Sequence, residues 1–491
     1  MSRNIKTLIA GIAVIAVLSG GIAALKLTEP DSSAADSESA AETQADENTE
    51  VYSSESGVKS LEVTNSHGSY TIEKTKDADG DNEAQYSIDE LDDLPLNTDI
   101  VNSLPVSLSS LEAEKIIDEN VSDLSQYGLE KPETKVKVSF DDGSEKTICI
   151  GNDTPSGDIY MCLDGENTVY AITSDTFSLF RYDTDYYISL VCLEAPETND
   201  DYPIVNYLEI NRKDLDYPIR FEYDSKSADT DYSGGTASTH IMTSPVFAYI
   251  DIGEGSTTVT HGLFGLTAYS AATVHPSDDE ISFAGLDDPF CTVTMDTDDG
   301  YTRTLKIGNT MNINDTEYYL GMFDDIDIIY CFSKDDLPWV DMQPLDIASK
   351  LIFGTYFYDI GTMTVKADGH ETLVFTTEGT DSDDFSVKLN GDDYDVERFQ
   401  DFYKYLLNAQ AEEIYTQEPD ENDLICSVEI KRNDEFEDET VEFYKGDGKS
   451  VIIKHNGVTS FINKVNYDYI NVLLDNIDKV QTDEDFSMTW K

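Results

Sequence analysis

The feature that most constrains this chain is a passage it writes twice. Residues 127 to 152 read YGLEKPETKVKVSFDDGSEKTICIGN, and residues 284 to 309 read AGLDDPFCTVTMDTDDGYTRTLKIGN, at a fixed offset of 157 positions. Gly128, Leu129 and Pro132 align with Gly285, Leu286 and Pro289; Thr147, Ile150, Gly151 and Asn152 align with Thr304, Ile307, Gly308 and Asn309. The match runs on to VYAITSD from Val169 and IYCFSKD from Ile329. These residues shape backbone. Glycine permits positive φ and proline bars helix, so Gly-Leu-x-x-Pro reads as a turn. Val136, Val138 and Phe140 alternate onto one face of a strand. Asp142-Gly143 and Asp299-Gly300 sit where a hairpin reverses, and Ile-Gly-Asn closes the returning strand.

The unit extends upstream. LEVTNSHGSYTIE from Leu61 reads as a hairpin, and LEINRKDLDYPIRFEY from Leu208 and MTVKADGHETLVFTT from Met363 are its counterparts. Each is followed by a helix-like piece and a short strand, beginning at Thr98, Thr257 and Asp395. In the last of these, Val396, Phe399, Phe402, Tyr403 and Leu406 share one helical face. Ala113, Ala271 and Ala411 fall at equivalent places after the helix. ICSVEIKRND from Ile425 and VIIKHNGVTSFIN from Val451 repeat the closing meander, with PDENDL in place of the Gly-Leu-x-x-Pro turn. The fold class expected is therefore α+β: three tandem related units at 59–195, 205–352 and 360–482, each a mainly antiparallel sheet with about one packed helix. Repeats of this length are domain duplications and not solenoid turns.

Ahead of the repeats, Arg3 and Lys6 precede the apolar run LIAGIAVIAVLSGGIAAL, Leu8 to Leu25. At about 1.5 Å per residue it spans roughly 27 Å, enough for a bilayer core. Basic residues before it and acidic ones after it set the N-terminus inside. Residues 1–27 are read as an uncleaved membrane anchor, a cleaved signal peptide being the alternative given the small residues around Gly20 to Ala24. No cysteine follows the run closely, so lipid attachment there is excluded. Residues 28–58 hold no basic residue between Lys26 and Lys59 and are rich in Ser, Ala and acids, which reads as a disordered acidic stalk.

Charge narrows the function classes. The chain carries 99 acidic and 32 basic residues, a net charge of −67. A phosphate backbone is bound through clustered Lys and Arg, so nucleic acid is excluded as a partner, and docking of the folded part on anionic lipid is disfavoured. A cationic partner or loosely held calcium is the sharper alternative to a merely solvated surface.

The array YGL-x-KP, strand, DG, strand, IGN-x-TP, then Tyr160 and VYAI resembles the domain-of-unknown-function family DUF4340 of bacterial envelope proteins. The signature lies at Tyr127 to Pro132 and Ile150 to Gly157; the first unit matches closely, the second moderately and the third in pattern only. The resemblance implies a membrane-tethered surface protein, often encoded near ABC transporters of the gliding-motility type, and supplies no catalytic residues.

Searches for chemistry end in structural readings. Cys149, Cys162, Cys192, Cys291, Cys331 and Cys426 form no C-x-x-C pair or zinc spacing and do not recur between copies, Cys149 aligning with Lys306 and Cys291 with Thr134. They read as buried thiols, although an even count outside the membrane permits one or two bridges. His67, His240, His261, His275, His370 and His455 show no metal-binding pair. DADGDNE from Asp77 alternates Asp77, Asp79 and Asp81 but has Asn82 and Ile88 where a calcium loop wants Gly and Glu, so it reads as a hairpin tip. Asp231 to His240 reads as a loop, and the 29 tyrosines, clustered as in RYDTDYY from Arg181, as half-exposed sheet faces. No catalytic, cofactor-binding or metal residue is assigned and no cofactor is expected. The function expected is a non-enzymatic, membrane-anchored extracytoplasmic protein, an accessory component of an ABC-type transporter whose partners are the membrane and transporter subunits. The alternative is a surface module binding cell-wall polymer or cations. A hydrolase ranks third, since it would need converging acids with a raised pKa in a cleft.

Overall fold

The computed structural model describes residues 49–489 other than 80–81, 230–236, 252–253, 410, 434–436 and 464–466. Over these the chain is mainly antiparallel β with few helices, arranged in three large sheets and one two-stranded ribbon. Alternation writes the central strands. Thr134–Phe140 and Cys291–Thr297 each bury every second residue, and Leu424–Arg432 buries Cys426, Val428 and Ile430 on the same period.

Across the first sheet the strands run Gln85–Ile88, Gly68–Lys76, Val58–Asn65, Thr134–Phe140, Glu145–Asp153, Ile159–Leu163, Val169–Ile172 and Lys115–Asp118. The second runs Ala248–Asp251, Ala237–Ser244, Ile219–Tyr223, Val205–Arg212, Cys291–Thr297, Thr302–Ile313, Thr316–Phe323, Ile328–Ser333 and Ser270–Val274. The third runs Asp392–Tyr394, Ser386–Leu389, Leu373–Glu378, Ile360–Ala367, Leu424–Arg432, Glu439–Lys445, Val451–His455, Val458–Asn463 and Glu413–Ile414. All three are laid down the same way. A first meander runs outward to one edge, a helix follows, and one strand goes to the far edge. A second meander then starts beside the first strand and ends against that far-edge strand.

By contact density the chain divides into two compact units, one of Met1–Glu194, Gly265–Pro289 and Ile307–Asp336, the other of Ala195–Phe264, Phe290–Lys306 and Leu337–Lys491. The strand Thr302–Ile313 has residues in both.

The doubled passage builds one local device. Gly128 and Gly285 have φ of 73° and 71°. Gly128 N–H donates to the Ser125 carbonyl and Leu129 N–H to Leu124; Gly285 N–H donates to Ser282 and Leu286 N–H to Ile281. That nested pair of bonds is a glycine helix cap, ending the short helices Ser125–Tyr127 and Asp278–Phe283. The second glycine of the motif lies against the cap. A Cβ on Gly151 would strike the Tyr127 carbonyl, and one on Gly308 the Ala284 carbonyl. Asn309 then ties the two together, its N–H donating to Ala284 O at 2.7 Å and its Nδ2 to Phe283 O at 2.8 Å.

Several expectations are corrected. Residues 49–53 are not stalk: Thr49–Ser53 pairs antiparallel with Ser110–Ala113, and the Tyr52 hydroxyl donates to Leu108 O at 2.8 Å from a buried position. The acidic composition around them concealed two apolar anchors, Val51 and Tyr52. The first sheet opens at Val58, and the last folded segment runs past 482, where Ser487 N–H donates to Asn476 Oδ1 at 2.8 Å. One helix per sheet is too few. Glu254–Thr260 and Asp278–Phe283 accompany the second, and Val396–Leu406 and Tyr467–Lys479 the third. The loop expected from Asp231 gives way to strand at Ala237, because His240 is buried with Nε2 2.7 Å from Val205 O; residues 231–236 lie outside the described residues. RYDTDYY is not a half-exposed sheet face, since Tyr187 is fully buried and shares a 2.7 Å hydrogen bond with the Tyr70 hydroxyl. The anchor at 1–27 and the stalk at 28–48 also lie outside the described residues. No helix among the described residues is long and apolar enough to cross a membrane.

Candidate functional site

Buried polar side chains are where chemistry would have to begin, because each must find a partner or lose its solvation. Several here clamp backbone, and two do so at one topological position. Asn65 ends the first strand of the first sheet, and its Nδ2 donates to the carbonyls of Phe180 at 3.0 Å and Tyr182 at 2.7 Å. Arg212 ends the first strand of the second sheet. Its guanidinium donates to Met342 O at 2.7 Å and Trp339 O at 3.4 Å, and meets Asp214 at 2.6 Å. Arg212 holds the Asp214 carboxyl below its usual range. In the third sheet the hairpin residue His370 reaches Asp478 at 2.7 Å. Each first hairpin is thereby fastened to the segment that follows its own second meander. Sequence gave no sign of this, because Asn, Arg and His share neither charge nor shape.

A second buried cluster centres on Glu439. Its carboxylate accepts from Gly354 N–H at 2.8 Å, Thr355 N–H at 3.2 Å and Thr355 Oγ1 at 2.7 Å, and lies 3.0 Å from His455 Nε2. Burial pushes its pKa up, but His455, Thr355 and Gly354 outweigh this and hold it below 4.5. The ring of Phe247 lies parallel to His455. The cluster fastens the connection at Gly354–Thr355. The sequence pointed only to the strand of His455, in VIIKHNGVTSFIN from Val451.

The remaining histidines are also placed. His67 faces Asp183 at 3.5 Å, His261 stacks on Tyr202 at 4.1 Å between centroids, and His275 lies near Asp327 at 3.2 Å and Asp93 at 3.5 Å. Among the described residues no three His, Cys, Asp or Glu side chains are grouped to hold a metal. The Asp77 stretch sits between paired strands, with Asp79 bridged to Asn82, as a hairpin tip would. Asp185 is the outlying carboxylate: burial, then the charge of Asp183, pushes it up to about 7.

None of the six cysteines is in a disulfide, and all six are buried. Two of them meet. Cys149 and Cys162 are directly opposed on adjacent antiparallel strands, in a small core with Val121, Leu129 and Val169. Asp164 Oδ1 lies 3.6 Å from Cys149 Sγ and is paired with Lys135 at 3.0 Å. The adjacent Cys162 thiol, together with burial, raises the Cys149 pKa, and the adjacent Cys149 thiol lowers that of Cys162.

Among the described residues the most exposed large hydrophobic side chains include two tyrosines and a leucine. Tyr356 is 64% exposed, Leu351 58% and Tyr249 41%, and Tyr358 lies 5.6 Å from Tyr356 between ring centroids. Phe247 packs edge-on to the Tyr249 ring, 5.3 Å between centroids.

Residues 87–183 match the family described as Domain of unknown function (DUF4340), so a DUF4340 domain occupies that stretch. The matched span holds the glycine cap, both opposed cysteines and the helix Thr98–Ser107, but leaves out the hairpin Val58–Lys76 that completes the sheet. No curated protein and no solved structure matches the chain.

Proposed function

We propose, from the DUF4340 domain at residues 87–183, that this chain is a non-enzymatic extracytoplasmic protein of the bacterial envelope, held by a membrane helix at 1–27. It acts as an accessory component of an ABC-type transporter. On this reading 59–195, 205–352 and 360–482 are copies of one α+β domain, and their work is binding and assembly. The observation that supports it is the fate of the buried polar groups: Asn65, Arg212 and Glu439 hydrogen-bond backbone of their own chain. The apolar run Leu8 to Leu25 supports the anchor, and the surplus of acids favours a solvated exterior over contact with nucleic acid. The test is a crosslinking pull-down from native membranes. Full-length protein is compared with a form whose residues 1–27 are replaced by a cleavable signal. Transporter subunits enriched only with the anchored form are the expected result; enrichment of no membrane protein with either form sinks the transporter role.

One observation favours the alternative of a surface module for cell-wall polymer. Tyr249 and Tyr356 expose aromatic area and Leu351 aliphatic area, and sugar rings stack on exposed aromatic faces. If that holds, residues 49–491 retain purified cell-wall glycan without the anchor, and the Tyr249→Ala, Tyr356→Ala double variant loses at least tenfold in retention.

A further inference from the structure

We propose that Cys149 and Cys162 are a disulfide site, a cross-strand staple that closes when the protein meets a disulfide oxidant. The two residues are in register on the antiparallel strands Glu145–Asp153 and Ile159–Leu163, so their side chains project from the same face of the sheet. Directly opposed residues in such a pair have Cα atoms about 4.5 to 5.5 Å apart, inside the range a disulfide spans. No strand rearrangement is required. The pairing is also selective. The residues opposite the other strand cysteines are Arg212 for Cys291, Ser270 and Leu320 for Cys331, and Ala367 and Phe443 for Cys426. Cys192 lies outside the strands, its N–H bonded to Leu266 O. In the second copy of the domain the position of Cys149 is taken by Lys306, so the staple belongs to the first sheet alone.

The reaction balances with glutathione disulfide as the oxidant. The Cys162 thiolate attacks one sulfur of the oxidant and expels a glutathione thiolate, leaving a mixed disulfide. Cys149 then gives up its proton, with the Asp164 carboxylate at 3.6 Å as the nearby acceptor, and attacks the Cys162 sulfur. A second glutathione thiolate leaves. Two thiols are oxidised to one disulfide, and one oxidant becomes two glutathione thiols. The same linked product forms whichever of the two thiols enters first. The inference rests on the extracytoplasmic reading only for its occurrence in the cell, where an oxidising exterior would keep the bond closed. The chemistry itself is tested on purified protein.

Full-length protein in detergent is titrated with glutathione disulfide in two arms, one native and one during refolding from urea. It is then quenched with an alkylating agent and digested without reduction. The expected result is a single linked peptide joining Cys149 to Cys162 in at least one arm, while Cys192, Cys291, Cys331 and Cys426 are recovered alkylated. The Cys149→Ser variant then yields at most a glutathione adduct at Cys162, and its melting temperature no longer responds to oxidant. Recovery of both thiols alkylated in both arms, or a link from either to another cysteine, overturns the proposal. A failure here leaves the membrane topology untouched, because that is read by the pull-down and not by the thiols.

Discussion

At the scale of residues, two carboxylates report pH in opposite directions. Glu439 is held below 4.5 by His455, Thr355 and the Gly354 N–H despite its burial. A depressed carboxylate contributes stability that is present above its unfolded pKa and lost as pH falls through the lower folded value. Glu439→Ala leaves His455 and two backbone donors without their acceptor, so a loss of about 3 to 5 kcal/mol is expected in urea unfolding at pH 7. The loss narrows as the pH falls below 4.5, where the wild type itself gives up the interaction. A variant as stable as wild type at pH 7 would show that the cluster does not hold the Gly354–Thr355 connection. Asp185 has the reverse sign. Its carboxyl is raised from 3.8 to about 7, so its contribution is fully present below 3.8 and lost as pH rises through about 7. Asp185→Asn removes the cost of an ionised group in that half-buried place. The variant is expected to match wild type at pH 3 and to exceed it by on the order of 2 kcal/mol at pH 8. Equal stability at both pH values would mean that Asp185 titrates as an ordinary surface acid.

At the scale of elements, the edge ribbon carries the clearest consequence. Thr49–Ser53 covers Ser110–Ala113 and sets the Tyr52 ring edge-on to Phe140, 6.3 Å between centroids. A chain beginning at Ser54 loses that strand and uncovers Leu111; one beginning at Thr49 keeps both. The shorter chain is expected to be less stable by about 3 to 5 kcal/mol, the usual cost of losing a buried aromatic. Superimposable melts would put residues 49–53 back in the stalk. This strand also marks what sequence could and could not say. The hairpins at Leu61, Leu208 and Met363 and the Asp-Gly turns were legible, because alternation and turn chemistry act over a few neighbouring residues. The glycine pairs were visible as a repeat, but their purpose was not: Gly151 matters only because the Tyr127 carbonyl, far off in sequence, packs on it. The strand at 49–53 was hidden because its partner lies about sixty positions away and its neighbours are acidic. The Asn65, Arg212 and His370 clamps were hidden for a different reason. Asn65 and Arg212 end corresponding strands with different chemistries, His370 lies in the turn after the third, and only the common order of the three sheets reveals that the three hairpins are fastened alike.

At the scale of the whole molecule, charge is the property no local element explains. The 99 acidic residues cannot be neutralised by 32 basic ones, several of which are already paired, as Lys74 is with Asp141 and Arg220 with Glu209. The folded chain concentrates like charge that the unfolded chain spreads out, so repulsion works against folding. Screening relieves it: the Debye length falls from about 30 Å at 0.01 M salt to about 8 Å at 0.15 M. The same screening weakens surface ion pairs, but each is worth only about 0 to 1 kcal/mol, so the net repulsion decides the sign. Raising sodium chloride over that interval is therefore expected to raise the melting temperature, by on the order of 5 °C. A melting temperature that stays flat or falls would mean that the ion pairs outweigh the excess acids. Calcium chloride at matched ionic strength separates the two readings of the acidic surface. An equal rise for both salts means that the carboxylates act as a diffuse field, as the proposed envelope role requires. A larger rise with calcium, saturating with concentration, would mean that some of them converge on the cation, and the cation-binding alternative would then displace the plain solvated surface.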